Sequence, residues 1–272
     1  MSEGVRSMRI AVLGGGVMGE TLASGFLRYV TPAPRIVIAE KRAERAEELR
    51  RLHGVEIADT ADAVRDAAVV VLAVKPQDVP ALLDEVGSAI APGTLVVSIA
   101  AGIRTVTIEE QVPAGVDVVR AMPNTPARVD RGVTGLSPGA HCSAEALALA
   151  ERLLASVGQA VVVPEHLQDA VTAVSGSGPA YVFFLAEAMT AAAVELGLDR
   201  ETATHMVNHT ILGAATLLET SGEPADVLRR NVTSPNGTTA AAISAMEELG
   251  VHGAVVSAMT AARDRSRELS GG

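Results

Sequence analysis

The chain has 272 residues, a formal charge of −10 and a 48% hydrophobic share, enough for one large domain or two ordinary ones with a sizeable core. Aromatic residues make up 2% with no Trp, so the core is expected to be Ala, Val and Leu in close contact. Nucleic-acid partners are held by basic grooves and aromatic stacking, and this composition argues against them.

Cys142 is the single cysteine, which rules out an intrachain disulfide framework and suits a reducing cytoplasm. No apolar run approaches the roughly 20 residues that span a bilayer, so no membrane partner is expected. The start, MSEGVRSMRIAVLG, has too short an apolar stretch for a signal peptide, and Met1–Ser7 is expected to be a loose tail. Twenty of the 22 basic residues are Arg. Any catalytic lysine must therefore be Lys41 or Lys75, both in the first third of the chain.

In chain order, Arg9–Leu13 (RIAVL) reads as a buried strand and Val17–Tyr29 as a helix. Arg35–Ala39 is a strand, Arg42–Leu52 a charged amphipathic helix, and Ala67–Val74 a strand. Val79–Ile90 is a helix and Thr94–Ile99 a strand, with further strands at Val116–Arg120 and Gln159–Val163. Strands separated by helices imply parallel βαβ units and a sheet covered on both faces. After Pro164 the pattern becomes helical, over Asp169–Val174, Ala180–Leu196, Arg200–Ser221, Ala240–Leu249 and Val251–Leu269. Gly197, Gly222 and Gly250 sit where helix C-caps belong. The expected organisation is an α/β domain over 1–164 and an all-helical domain over 165–272, whose Ala-rich faces suit close packing and burial between subunits.

The first strand runs into LGGGVMGE, which places Gly14-x-Gly16-x-x-Gly19 between a strand and a helix. Gly14 allows the tight turn, Gly16 lets backbone N–H groups approach a pyrophosphate, and Gly19 packs the helix on the strand. Val17 and Met18 open that helix, whose N-terminus faces the phosphates. The second strand ends in Glu40, where an acidic residue binds ribose hydroxyls and selects NAD. Lys41 and Arg42 follow at once, and cations there suit the 2′-phosphate of NADP, so the preference between NADP(H) and NAD(H) stays open. The next strand ends in Ala73, Val74, Lys75 and Pro76, with Lys75 projecting from the carboxyl edge where ligands sit in open α/β folds.

VVRAMPNTPARV holds Asn124 between two prolines in a stiff loop, read equally well as a structural turn. Ser175-Gly176-Ser177-Gly178-Pro179 reads as an open helix N-terminus without a His or Asp partner for a nucleophilic serine. TSPNGTT brings Ser234, Asn236, Gly237, Thr238 and Thr239 to a helix start whose N–H groups suit a carboxylate, although capping alone would explain the hydroxyl residues. His205 and His209 lie four apart on a helix without an acidic partner, so no metal site is expected.

The segments GGGVMG, AVKP, SIAAGI, VRAMPNTPA, AVSGSGPAY and VTSPNGTT, in this order and spacing, resemble the 1-pyrroline-5-carboxylate reductase family over nearly the whole chain. The resemblance implies a Rossmann-type parallel-sheet domain followed by an all-α dimerisation domain, with homodimers that often assemble five at a time into decamers. It implies hydride transfer from NADPH or NADH to a cyclic imine acid, giving L-proline. It also implies that the N–H groups of Gly237, Thr238 and Thr239 hold the substrate carboxylate, that the Thr239 hydroxyl reaches the ring nitrogen, and that segments around Lys75 and Ala100–Ala101 line the cofactor. Thr239 and Lys75 are the catalytic candidates. Asn236 stands where the family usually has the first glycine of SPGGTT, and Asn231 where it often has an acidic residue; both bear on substrate selectivity.

Three other readings compete. A hydroxyacid dehydrogenase of the related two-domain type uses a lysine in its helical half, and none follows Lys75 here. Reduction of another cyclic imine acid and non-catalytic nucleotide sensing are the others.

Overall fold

The computed structural model describes residues 8–270; Met1–Ser7, expected as a tail, lies outside the described residues. The chain divides into two compact units, residues 8–177 with 262–270, and residues 178–261.

The first unit is built on eight strands: β1 (Arg9–Leu13), β2 (Arg35–Ala39), β3 (Glu56–Ile57), β4 (Val69–Leu72), β5 (Leu95–Ser98), β6 (Asp117–Met122), β7 (Gly132–Pro138) and β8 (Gly158–Val162). They lie in the order β3-β2-β1-β4-β5-β6-β7-β8. Every pairing is parallel except β6 with β7. The helices between them are α1 (Val17–Tyr29), α2 (Ala43–His53), α3 (Thr60–Val64), α4 (Val79–Val86), α5 (Thr105–Glu109) and α6 (Ala144–Leu154).

Strand side chains alternate between faces, so a sheet covered on both sides needs apolar residues at every position. RIAVL meets this demand: Ile10 and Val12 join one buried cluster with Leu22 and Phe26 of α1. Ala11 and Leu13 join the other, with Ala63 of α3 and Leu83 of α4.

Two strands lie outside the sequence expectation. β3 is two residues long and carries no periodicity. β7, GVTGLSP, contains two glycines and a proline, residues depleted in strands. Both glycines answer to packing. A Cβ on Gly135 would sit 2.6 Å from a Val171 methyl, and one on Gly132 would sit 2.8 Å from the Ala127 Cβ. Among the helices, α6 and the short α3 and α5 were also not expected.

Beyond β8, Gln168–Val171 forms α7, and Thr172–Gly176 follows as a π-helical turn. The expected open start at SGSGP is therefore closed from the N-terminal side, with the Ser177 N–H donating to the Thr172 carbonyl at 2.8 Å. A π turn shifts the bonding pattern by one residue and changes which carbonyls stay available.

The second unit holds α8 (Gly178–Glu195), α9 (Arg200–Ser221), α10 (Ala225–Asn231), α11 (Thr238–Glu248) and most of α12 (Val251–Leu269). Gly197, Gly222 and Gly250 take positive φ at the helix ends, as C-caps do. Large apolar side chains stand exposed here: Phe183 at 67%, Phe184 at 73% and Leu249 at 82%. Contrary to the sequence expectation, the helical run Glu165–Glu195 is long and apolar enough by length and composition to cross a bilayer.

One clamp in the first unit has a measurable cost. Glu165 accepts the Thr105 N–H and the Thr105 hydroxyl, each at 2.8 Å. It also lies 3.5 Å from the guanidinium of Arg120, which is only 6% exposed. Removing the partly buried Glu165 leaves the buried Arg120 charge without this partner. Glu165→Ala is expected to lower unfolding free energy by about 3 kcal/mol in urea titration. A change under about 0.5 kcal/mol, the range of ordinary surface substitutions, contradicts the clamp.

Candidate functional site

The strand order reverses between β1 and β4, and ligands of open α/β sheets sit at such a switch point, outside the carboxyl ends of the strands. The register aligns those ends. Leu13 pairs with Ala39 and Leu72, and Leu72 with Ser98. The chain segments that follow, Gly14–Gly19, Glu40–Arg42, Ala73–Pro76 and Ile99–Ala101, thus leave the sheet side by side. Four of the predicted cofactor segments are brought to one edge by strand pairing alone.

Each glycine of the loop has its own reason. Gly14 has φ +113°, and a Cβ there would lie 2.5 Å from the Ala73 carbonyl oxygen. A Cβ on Gly19 would collide with the Gly14 carbonyl oxygen. Gly16 differs: it has φ −66°, which any residue adopts, and nothing lies within 4 Å of its would-be Cβ. The protein itself has no use for a glycine at this position. Gly16 is also the N-cap of α1 and supplies no side-chain cap for the first-turn N–H groups. This is a cradle that a methyl group would fill, and it fits the pyrophosphate of a nicotinamide dinucleotide. Val17 and Met18 form its first turn, with Val17 exposed.

At the end of β2, the Glu40 carboxylate turns toward the loop. One oxygen accepts the Gly15 N–H at 3.1 Å and an Arg42 guanidinium N–H at 3.2 Å. The other accepts the Arg42 backbone N–H at 2.9 Å and its Nε–H at 3.0 Å. The Arg42 side chain holds the Glu40 carboxyl below its ordinary range, against the opposing effect of burial. Lys41 is exposed. Arg45 of α2 is a site residue the sequence did not single out: its Nε–H donates to the Gly15 carbonyl at 3.0 Å. In AERAEELRRLH it is one charge among many, and nothing local distinguishes it from a solvated face.

Lys75 is exposed and precedes a 3₁₀ turn over Pro76–Asp78, with the Asp78 N–H donating to its carbonyl at 2.9 Å. Ala100 is buried and Ala101 exposed, so only the second offers a free surface. Asn124 is buried, and its carboxamide is engaged by the chain. It donates to the Ser175 carbonyl at 3.0 Å and accepts the Val133 N–H at 2.9 Å. It ties the stiff Pro123–Pro126 loop to β7 and to the π turn.

In the second unit, Ser234-Pro235-Asn236-Gly237 forms a tight turn, closed by the Gly237 N–H donating to the Ser234 carbonyl at 3.0 Å. Pro235 takes the second position and Asn236 the third, with φ +60°. Asn tolerates that left-handed region better than most residues, which explains why it can stand in for glycine. The turn corrects one detail of the expected carboxylate seat. The Gly237 N–H is already committed, so the N–H groups of Thr238 and Thr239, in the first turn of α11, are the ones left for a ligand. Gly237 is the N-cap and no side chain caps it. The hydroxyl residues beside it are thus not serving as helix caps.

His205 and His209 lie side by side, with ring centroids 4.4 Å apart and their planes tilted by 50°. No group of three or more potential metal ligands occurs among the described residues. Burial, with the charges of Asp117 and Glu109, pushes the Cys142 thiol up to about 11, so it stays protonated at neutral pH. A cleft of about 980 Å³ opens at the opposite, amino edge of the sheet, where Arg35 pairs with Glu56 and Arg65 with Asp62.

The glycine loop gives a paired prediction. Gly19→Ala forces an overpacked contact and is expected to cost about 1–3 kcal/mol of stability. Gly16→Ala is expected to cost about 1 kcal/mol or less. Its dinucleotide affinity should nonetheless fall about tenfold or more in a fluorescence titration, because its methyl occupies the phosphate approach. Unchanged affinity in folded Gly16→Ala would show that the cradle is not used.

Comparison with known proteins covers both units. Residues 165–269 match the family model described as pyrroline-5-carboxylate reductase dimerisation. Residues 9–102 match one described as NADP oxidoreductase coenzyme F420-dependent. A pyrroline-5-carboxylate reductase of Pseudomonas aeruginosa is 44% identical over 265 residues, spanning 96% of this chain and 97% of the relative. A solved pyrroline-5-carboxylate reductase from Coxiella burnetii superposes with TM-score 0.92 at 34% identity, covering 97% of this chain and 98% of the other. The Plasmodium falciparum pyrroline carboxylate reductase, solved with NADP bound, gives TM-score 0.85 at 26% identity, covering 98% and 100%. With a dinucleotide cradle in one unit, an uncapped turn in the other and likeness running end to end, the chain belongs to the pyrroline-5-carboxylate reductase family.

Proposed function

We propose that the protein reduces L-1-pyrroline-5-carboxylate to L-proline with NADPH or NADH as the hydride donor. The observation that carries this reading is the turn before α11. A helix N-terminus carries partial positive charge and unpaired N–H groups. Here it lacks a side-chain cap, and a left-handed Asn236 shapes the chain leading into it. Such a seat suits a small carboxylate.

The bound nicotinamide supplies the hydride; the chain's own residues supply position and electrostatics. The N–H groups of Thr238 and Thr239 hold the carboxylate, with the hydroxyls of Ser234 and Thr238 and the amide of Asn236 at the rim. The Thr239 hydroxyl orients the ring nitrogen. An imine that arrives protonated at the ring nitrogen needs no general acid from the protein to complete the reduction, so positioning is the main demand on the site. Lys75 is a cation at the crevice edge, and we assign it attraction and orientation of the polyanionic dinucleotide. Gly14, Gly16, Val17, Met18 and Gly19 carry the pyrophosphate, and Ala73, Val74, Pro76 and Ala101 line the crevice beside it.

The exposed apolar helices are read as surfaces that a second copy covers. Dimerisation is what the matched family segment describes, and the apolar run over Glu165–Glu195 lies wholly within it. Assembly of dimers into a decamer, a cytoplasmic location, and the absence of nucleic-acid and membrane partners complete the proposal. The net charge of −10 argues against a nucleic-acid partner, and the single cysteine suits a reducing cytoplasm.

Two measurements test the reading. Nicotinamide absorbance should decay when L-1-pyrroline-5-carboxylate is added to protein and NADPH or NADH, with L-proline formed. No decay from protein that binds the cofactor points instead to another imine acid or to a non-catalytic relative. Thr239→Ala should lose about a hundredfold in turnover, the cost of misplacing the ring nitrogen, while cofactor binding is kept. Near-normal turnover in that variant removes Thr239 from the mechanism.

A further inference from the structure

The end of β2 carries two opposed signals, an acid that suits NAD and a basic pair that suits NADP. Their geometry separates them. A carboxylate that binds a ribose diol must offer lone pairs to the ligand. An ionised carboxylate has about four acceptor sites, and Glu40 has four N–H contacts between 2.9 and 3.2 Å, two on each oxygen. Its side chain is 8% exposed, whereas that of Arg42 is 67% exposed. The acid is turned inward and saturated, and the guanidinium faces outward.

The inward contacts fall on the glycine loop. Glu40 holds the Gly15 N–H, and Arg45 holds the Gly15 carbonyl. Arg45 is braced in turn by ion pairs with Glu20 and Glu48. Gly15 has no room for a side chain, since a Cβ would meet Leu49 at 2.5 Å and Glu40 at 3.1 Å. Gly15 is thus clamped at both its N–H and its carbonyl, on the two peptide groups that flank it, by charged side chains.

The same carboxylate fixes Arg42. It takes the Nε–H and one terminal N–H on one side of the guanidinium. Of the five N–H donors of an arginine, those on the far side remain for a ligand. Glu40, Lys41 and Arg42 together carry a net charge of +1, which favours a 2′-phosphate over a hydroxyl.

We propose that Glu40 is a positioning residue and not a ribose ligand: it clamps the glycine loop and presents Arg42, assisted by Lys41, to the 2′-phosphate, so that the chain prefers NADP(H) over NAD(H). This rests on the reading of the crevice as a nicotinamide dinucleotide site.

The test uses adenosine halves of the two cofactors, which need no turnover. Adenosine 2′,5′-bisphosphate and 5′-AMP are titrated into the full-length protein by calorimetry. The bisphosphate is expected to bind at least about tenfold tighter, the ratio that one charge-assisted contact supplies. Arg42→Ala should collapse the ratio toward one. Glu40→Ala separates the two roles. A ribose-binding acid repels the 2′-phosphate, so its removal would raise the preference for the bisphosphate. A positioning acid orients Arg42, so its removal lowers that preference. A wild-type ratio near one, an unchanged ratio in Arg42→Ala, or a raised ratio in Glu40→Ala overturns the proposal and leaves the dinucleotide reading intact. Failure to bind either probe, together with failure to bind NADPH and NADH by fluorescence, overturns both.

Discussion

The approach of the Gly19 backbone to the Gly14 carbonyl is the constraint on which the first unit depends. No side chain fits between them. This contact seats α1 directly over the end of β1, and α1 can then bury Leu22 and Phe26 against the sheet. The same contact aims the N-terminus of α1 at the carboxyl edge, where the ends of β2, β4 and β5 also arrive in register. Packing and ligand geometry follow from one close approach. Gly16 then stands apart as the glycine that packing does not require, and it marks where the protein leaves space.

Much of this was legible in the sequence because it depends on local rules. A fully apolar strand, a glycine loop and a helix in immediate succession define a βα unit whatever the rest of the chain does. β1, α1, β2, α9 and α12 fall on their predicted bounds. The sequence hid features whose cause lies far along the chain. β7 looks unlike a strand because its glycines answer to Val171 and Ala127, not to local propensity. The long-range brackets at the site, Glu40 with Gly15, Arg45 with Gly15 and Asn124 with Ser175, join residues 25, 30 and 51 apart. No spacing pattern could reveal them. The π turn was invisible for the same reason, since helical propensity does not register a shift of one residue in bonding.

In the proposed function, the two units handle charge with the same device. Each leaves a helix N-terminus without a side-chain cap, at Gly16 and at Gly237, and each sets a turn of unusual backbone just before it, Gly14 in one and Asn236 in the other. A backbone N–H seat holds an anion without a buried cation and without the desolvation cost that one would bring. A chain with two lysines can in this way serve a polyanionic cofactor and an anionic substrate. The second unit exposes Phe183, Phe184 and Leu249, side chains normally buried in a soluble monomer and natural at a contact between copies.

The most direct test of the central claim is whether the protein reads a carboxylate. L-Proline and L-prolinamide share a ring and differ in that one group, so each is titrated into protein saturated with oxidised NADP. Proline is expected to bind at least about tenfold tighter, the value of a charge-assisted hydrogen bond at a helix N-terminus. Equal binding of the two would contradict the carboxylate seat before α11, and with it the mechanism built on Thr238 and Thr239.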